Sequence, residues 1–169
     1  MARHTLTRVL PYAPERLFEM VRDVRRYPEF LPWVTAMRVW NERAESDDVS
    51  TIDAEAQVGF SFLRERFSTR VRGDAKDRKI DVTLISGPFR NLAAHWRFDP
   101  HPVGALVRFE IDFEFRSRLL DTMLAANLPR AVNRLIACFE TRAMALYPAL
   151  TPASGAQETP ATQCLAARG

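Results

Sequence analysis

Few side chains in this sequence combine the types and spacing that catalysis requires. Glu65 is the one acid on an otherwise apolar strand face, and a buried carboxylate is costly unless it is paired or hydrogen-bonded. It therefore meets an arginine, lies near solvent, or contacts a polar group of a ligand. His95 alternates with Trp96 and is predicted on the solvated face of its strand, as are Asp112 and Glu114.

Other signatures of chemistry are missing from the sequence. No nucleophile stands at a recognisable spacing from a base, and no group of side chains has metal-ligand spacing. Cys138 lies in a helical pattern and Cys164 in a polar tail, so both are predicted to be reduced thiols. We expect no catalytic residue, no metal and no cofactor, and hence a protein that is not an enzyme.

Apolar and aromatic side chains are concentrated in the segment 23–33. Pro28 and Pro32 exclude one long helix here, because proline lacks an N–H and its ring clashes with the preceding turn. The segment still carries more apolar surface than a solvated loop, in Val24, Tyr27, Phe30, Leu31 and Trp33. That surface must be buried, either in the core or against a ligand. Taken alone, each residue fits both alternatives about equally.

A strand and a helix precede this segment. Residues 4–10 alternate as a first strand, and Pro14 suits the first position of a following helix. Asp23 is predicted to cap a second, short helix whose first turn tolerates Pro28.

Two strands of period two follow, over residues 48–58 and 61–72. A two-residue turn at 59–60 sets their register. The pairs that result are Glu55 with Arg64, Asp53 with Arg66, Ala54 with Glu65 and Ala56 with Leu63. The outward face of the second strand carries an arginine stripe, formed by Arg64, Arg66, Arg70 and Arg72. Cross-strand ion pairs explain this stripe better than a nucleic-acid patch does, so we expect no DNA binding. The small alanines leave room for a packed helix or for a cavity.

Alternation continues through three more strands. Residues 86–88 end the first of them and residues 100–102 close the second, while the third, 105–116, alternates most strictly. The inward faces of the first two carry Ile80, Val82 and Leu84, and then Leu92, Ala94, Trp96 and Phe98. Such alternation is typical of an antiparallel sheet with one buried face.

A helical pattern ends the domain. Its apolar stripe over residues 129–147 comprises Leu128, Val132, Leu135, Ile136, Phe139, Ala143 and Leu146. Pro129 can head this helix, and we expect it to break or kink any helix that runs from Leu119. Residues 1–148 are predicted to form one domain, followed by a disordered tail over 149–169.

The predicted fold class is α+β. A curved antiparallel sheet of about six or seven strands wraps around a long C-terminal helix, with two short helices after the first strand.

The composition is that of a globular protein of 169 residues with a net charge of +3. Its basic residues are nearly all arginine and are interspersed with acids, which allows weak attraction to an anionic membrane surface. No run is long and apolar enough for a membrane span or a signal peptide, so we expect a cytoplasmic protein, peripheral at most on the inner face of the cytoplasmic membrane.

Several local motifs of the sequence resemble the coenzyme Q-binding family of the START-like, helix-grip superfamily, which also includes polyketide cyclases and dehydrases. The matching stretches are D-V-R-R-Y-P-E-F-L-P-W at 23–33, V-G-F at 58–60, E-R-F-S-T-R-V at 65–71, G-P-F-R-N-L-A-A-H-W-R-F at 87–98, F-E-F-R-S at 113–117 and F-E-T-R-A-M-A-L-Y at 139–147. A close relative, the bacterial ribosome-association toxin family, shares the Y-P-x-F-L-P and G-P-F motifs.

The resemblance implies the helix-grip fold and an apolar cavity that binds ubiquinone or a related isoprenoid lipid. Ubiquinone would be a bound ligand, and the protein a quinone chaperone for respiration. The predicted ligand-binding residues are Val24, Tyr27, Phe30, Leu31, Trp33, Ala54, Ala56, Glu65, Phe67, Trp96, Phe98, Phe109, Val132, Leu135, Ile136 and Phe139.

Two alternatives follow from related families. The protein could instead bind the ribosome and block subunit joining, which requires the arginine stripe to be free of ion pairs. It could also be an aromatic cyclase or dehydratase with Glu65 as its acid or base. The oligomeric state is left open by the sequence.

Overall fold

A computed structural model describes residues 2–60 and 63–150 of the chain. Its helices and strands follow in the order β1 Ala2–Leu10, α1 Pro14–Arg22, a 3-10 turn Val24–Arg26, α2 Tyr27–Phe30, β2 Val34–Ala44, β3 Val49–Phe60, β4 Leu63–Asp74, β5 Lys79–Ser86, β6 Phe89–His101, β7 Gly104–Phe115 and α3 Arg118–Leu146. The predicted order of strand, short helices, strands and one long helix is confirmed.

The strands form one antiparallel sheet in the order β1-β7-β6-β5-β4-β3-β2. Strands β2 to β7 are joined as successive hairpins, and β1 pairs with β7 at the far edge. Inward side chains of β6 and β7, among them Trp96, Phe98, Phe109 and Phe113, are buried. The alternation of the sequence therefore predicted the faces of the sheet correctly.

The prediction for the hairpin of β3 and β4 was wrong in register. Gly59 does not lie in a turn, because its amide donates to the carbonyl of Trp33 at 2.8 Å and it pairs with Arg64 across the strands. The strands continue to Phe60 and resume at Leu63, which shifts the pairing by four residues. The pairs observed are Glu55 with Ser68, Asp53 with Arg70, Ala54 with Thr69 and Ala56 with Phe67.

The new register builds an ion pair on the outer face of the sheet. Asp53 accepts from Arg70 through both carboxylate oxygens, at 2.8 and 3.1 Å, and Oδ2 also accepts from Asn41. The Asp53 side chain is only 3% exposed. The hydrogen bond from Arg70 lowers the pKa of Asp53, against the opposing effect of its burial.

Pro129 neither begins α3 nor divides it into two helices, whereas the sequence predicted that it heads the helix and breaks or kinks any helix from Leu119. One continuous helix runs from Arg118 to Leu146 with Pro129 inside it, although proline removes the hydrogen bond to the carbonyl four residues earlier. Five residues of the predicted stripe are buried (Leu128, Val132, Ile136, Phe139 and Ala143), while Leu135 is half-buried and Leu146 is exposed.

The last described residue, Leu150, contacts the segment between β1 and α1. The amide of Leu150 donates to the carbonyl of Pro11 at 2.7 Å. The rest of the predicted tail, with Cys164, lies outside the described residues. Among the helices that the structure describes, none has the length and apolarity to span a membrane.

Candidate functional site

An apolar cavity of about 370 Å³ lies between the concave face of the sheet and α3, and it is partly open to the surface. Every strand from β2 to β7 contributes side chains to it. Ten of the predicted ligand-binding residues line it: Val24, Tyr27, Trp33, Ala54, Ala56, Phe67, Trp96, Phe109, Leu135 and Phe139. That these residues contact a ligand stays a prediction.

Six predicted residues do not line the cavity. Leu31, Phe98, Val132 and Ile136 are buried in the surrounding core, and Phe30 lines a groove on the other side of the cavity wall. Glu65 precedes Phe67, where β4 first reaches the cavity, and it is half-exposed. It makes no ion pair with any residue that the structure describes, so pairing with an arginine, one of the three alternatives from the sequence, is not observed.

Other lining residues were not selected from the sequence. They are Val34, Met37, Val58, Thr69, Val71, Val82, Phe89, Leu92, Ala94, Ile111, Phe113, Phe115, Leu124, Leu128 and Ala131. Strand alternation had already placed most of them on inward faces. Leu124 could not be found, because the helix was predicted to start at Pro129.

Small side chains create the room for the cavity. Ala54, Ala56 and Ala94 lie on its wall where larger residues would fill the space. Gly87, in the G-P-F motif, has a φ of +147°, and a Cβ there would lie 2.6 Å from the Cβ of Phe67. The glycine thus lets Phe67 approach Phe89, whose ring centroid is 5.4 Å away.

Three aromatic rings close one end of the cavity. Tyr27 contacts Phe30 and Phe139 edge to face, with centroids 5.7 and 5.5 Å apart, and Phe30 contacts Phe139 at 5.2 Å. Phe139 also contacts Trp96 at 5.2 Å. The short helix α2 therefore inserts its aromatic side chains between the sheet and α3. We call Tyr27, Phe30 and Phe139 the aromatic closure.

The cavity offers a ligand few polar partners. The hydroxyl of Tyr27 is already committed, since it donates to the carbonyl of Val21. Burial, and to a lesser extent the charge of Asp23, raises the pKa of Tyr27 above its ordinary value. Thr69 contributes the other side-chain hydroxyl among the lining residues that the structure describes. Such a surface selects for an apolar ligand with a small polar part.

Ion pairs hold the segment 23–33 in place from outside. Arg25 donates to Glu42 of β2 at 2.6 Å, and Arg142 of α3 donates to Glu29 at 2.8 Å. Asp23 stands at the N-cap position of the 3-10 turn, as predicted, but its side chain makes no capping hydrogen bond there and pairs with Arg26 at 3.2 Å.

A polar groove of about 590 Å³ lies on the outer side of the aromatic closure. Val24 lines both the groove and the cavity, whereas Phe30 lines only the groove and Tyr27 only the cavity. The groove carries arginines and acids that pair with one another, including Arg22 with Glu19 at 2.8 Å. Residues 24–30 therefore separate a polar groove from an apolar cavity.

The described residues contain no group of three or more His, Cys, Asp or Glu that could hold a metal ion. His95 lies on the solvated face, as predicted, and pairs with Asp81 at 2.6 Å. Cys138 is a half-buried free thiol.

The chain matches relatives along most of its length. It is 35% identical to the ribosome association toxin RatA of Rickettsia prowazekii over 140 residues, which are 81% of this chain and 92% of that protein. It is 26% identical to the mitochondrial coenzyme Q-binding protein COQ10 homolog B of Xenopus laevis over 158 residues, 91% of this chain and 60% of that protein.

Solved structures share the fold. An 18 kDa protein of Caulobacter crescentus is 59% identical, with a TM-score of 0.75 over 86% of this chain and 98% of that chain. A START superfamily protein of Mycobacterium smegmatis is 17% identical, with a TM-score of 0.74 over 87% of this chain and 100% of that chain.

The predicted superfamily is confirmed by these likenesses and by a family model that matches residues 10–140. The fold is that of the START-like proteins, and the chain belongs to the polyketide cyclase/dehydrase and lipid transport family.

Proposed function

We propose that the cavity binds the head group and the first isoprenoid units of ubiquinone, or of a similar polyisoprenoid lipid. The protein would act as a quinone chaperone that supports respiratory electron transport, working on the cytoplasmic side of the membrane. The observation that carries the proposal is the apolar, partly open cavity itself. A relative named as a coenzyme Q-binding protein supports the choice of ligand.

The size of the cavity supports partial enclosure of such a ligand. At about 370 Å³ it is near the lower end of ligand sites, which run from roughly 300 to 1,000 Å³. Each buried methylene of the tail contributes roughly 0.8 kcal/mol, so even a short stretch of isoprenoid adds affinity. Most of a long tail must remain outside, in the membrane or along the surface.

Binding without chemistry fits the lining best. Glu65, the one candidate acid or base from the sequence, is not among the lining residues. The role of an aromatic cyclase therefore has less support than that of a carrier.

The test is to extract lipid from protein purified from a host that makes ubiquinone. We expect ubiquinone in the extract, in amounts that approach one per chain. Absence of quinone from the extract, together with no binding of added ubiquinone, would contradict the proposal.

A second candidate is ribosome binding, as named for the Rickettsia relative. Arg70 and Arg72 are paired with Asp53 and Glu45, but Arg64 and Arg66 are exposed and make no ion pair among the described residues. Half of the arginine stripe is thus available to RNA.

Co-sedimentation with large ribosomal subunits tests this candidate. Arg64→Glu and Arg66→Glu should abolish co-sedimentation, while Arg108→Glu, a control on the exposed face of β7, should not. Equal behaviour of all three variants would exclude a role for the stripe.

A further inference from the structure

The first turns of α3 differ from the rest of the helix in burial. No residue from Arg118 to Asn127 is buried, whereas the helix buries five side chains from Leu128 onward. Yet this stretch is apolar, with Leu119 at 70% exposure and Met123 at 36%. Exposed large apolar side chains on an ordered helix indicate a surface that meets something apolar.

Helical spacing separates two faces in this stretch. Leu119 and Met123 are four residues apart and form one outward stripe. Leu120 and Leu124 form the adjacent stripe, which packs against the core, and Leu124 lines the cavity. The outward stripe is therefore continuous with the wall of the cavity. We call Leu119 and Met123, together with Arg118 and Arg130, the α3 entry surface.

The charge around the stripe is positive. Four arginines lie between residues 116 and 134 against one acid, Asp121, which gives this stretch a net charge of +3. The Oδ1 atom of Asp121 accepts from the amide of Phe115, and so the acid supports the start of the helix. Arg118 and Arg130 have no ion-pair partner in the part of the chain that the structure describes.

We propose that the α3 entry surface docks the protein on an anionic phospholipid bilayer. A helix that carries exposed leucine and methionine beside arginines suits the interface, where apolar groups enter the acyl boundary and cations meet lipid phosphates. A second copy of the chain fits less well, because two such surfaces would oppose their arginines. RNA would use the arginines but leave the stripe exposed to water.

The role of this docking in lipid transfer rests on the proposed function, because it requires that the cavity binds an isoprenoid. Leu124 lines the cavity and lies one residue from Met123, so docking brings one wall of the cavity to the membrane. An isoprenoid could then pass between bilayer and cavity without crossing water. The docking itself requires only the stripe and the arginines.

Flotation with vesicles tests the apolar part of the surface. The wild-type protein should float with vesicles of phosphatidylcholine and phosphatidylglycerol and not with phosphatidylcholine alone. Leu119→Glu and Met123→Glu should each weaken partitioning roughly tenfold or more. Val103→Glu is the matched control, because Val103 is also exposed, at 42%. It lies at the turn between β6 and β7, at the end of this hairpin that is opposite to the start of α3. This variant should bind the vesicles as the wild type does.

Charge reversal tests the arginines. Arg118→Glu and Arg130→Glu should each weaken binding to the anionic vesicles more than roughly fivefold and reduce its dependence on salt. Arg108→Glu changes the net charge equally from the outer face of β7 and should have little effect. The proposal would be overturned if the Leu119 and Arg118 variants floated as the wild type does. It would also be overturned if the wild-type protein formed dimers through this surface and did not bind vesicles.

Binding of a short-chain ubiquinone in solution separates this inference from the proposed function. Leu119→Glu should bind the soluble quinone normally and yet fail to take quinone from vesicles. A wild-type protein that floats but binds no quinone would refute the proposed function and leave docking supported. One that binds quinone but never floats would refute docking alone.

Discussion

Arg142 of α3 donates to Glu29 of α2 at 2.8 Å, and the same guanidinium lies 5.2 Å from the ring centroid of Phe30. The helix that roofs the cavity thus also holds the segment that closes it. Behind this contact, the rings of Phe30 and Tyr27 meet Phe139. Residues 27–30 are therefore held by an ion pair on the groove side and by ring contacts on the cavity side.

Replacement of Glu29 by Gln should speed ligand exchange. Exposed ion pairs contribute about 0 to 1 kcal/mol, so we expect release of a short-chain ubiquinone to become up to about fivefold faster. Stopped-flow fluorescence measures the rate. The control is Glu110→Gln, which removes an ion pair with Arg3 between β1 and β7. Equal release from both variants would show that the pair does not restrain the closure.

The ion pair of Asp53 should make stability depend on pH in a defined direction. Asp53→Asn should lower the free energy of unfolding at neutral pH by about 2 kcal/mol, because it removes the charge from a buried acceptor. The Arg70 hydrogen bond lowers the folded-state pKa below the unfolded value of about 3.9. The contribution of Asp53 is therefore complete above about pH 4 and is lost as the pH falls through the folded-state pKa.

Urea unfolding of both proteins across acidic and neutral pH measures this difference. The gap in stability between wild type and Asp53→Asn should stay constant down to about pH 4 and narrow below it. The control Asp47→Asn alters an exposed residue between β2 and β3 and should show no gap. A gap that widens on acidification would refute the assignment.

We expect Pro129 to destabilise α3. Pro129→Ala restores one backbone hydrogen bond within α3, and we expect the free energy of unfolding to rise by roughly 2 kcal/mol after allowance for the more flexible unfolded chain. Denaturant unfolding measures it. Pro102→Ala, in the turn between β6 and β7, reports the effect on the unfolded chain and should be neutral or slightly destabilising. A loss of stability in Pro129→Ala would contradict this account of the helix.

Side-chain periodicity predicted the faces of the fold because it depends on local geometry. The alternation around Trp96 and Phe109 and the stripe from Leu128 to Ala143 identified which residues turn inward. The small size of Ala54 and Ala56 correctly indicated free space, and the structure shows that this space is a cavity.

Contacts between residues distant in the sequence could not be predicted from local patterns. Gly59 has the type of a turn residue, but its amide bonds to the carbonyl of Trp33, which no local pattern reveals. Pro129 normally ends a helix, yet burial of Val132, Ile136 and Phe139 stabilises the helix around it. Phe30 and Tyr27 are both aromatic, so their types do not distinguish their positions. The packing of α2 places Phe30 in the lining of the groove and Tyr27 in the lining of the cavity.

Filling the cavity should abolish ligand binding while leaving the fold intact. Ala56 lies on the cavity wall beside Phe67, its cross-strand neighbour in β4, so Ala56→Leu should extend into the empty space without losing any native contact. We expect at least roughly tenfold weaker binding, because the ligand and the leucine compete for the same volume. Ala145→Leu makes the same substitution on the exposed face of α3 and serves as the control.

Titration of these three proteins with a short-chain ubiquinone tests the central claim most directly. Trp33 and Trp96 line the cavity, so a bound quinone should quench their fluorescence. The account predicts saturable quenching in the wild type and in Ala145→Leu, and its loss in Ala56→Leu. Absence of saturable quenching in the wild type, or identical curves for the wild type and Ala56→Leu, would contradict quinone binding in the cavity.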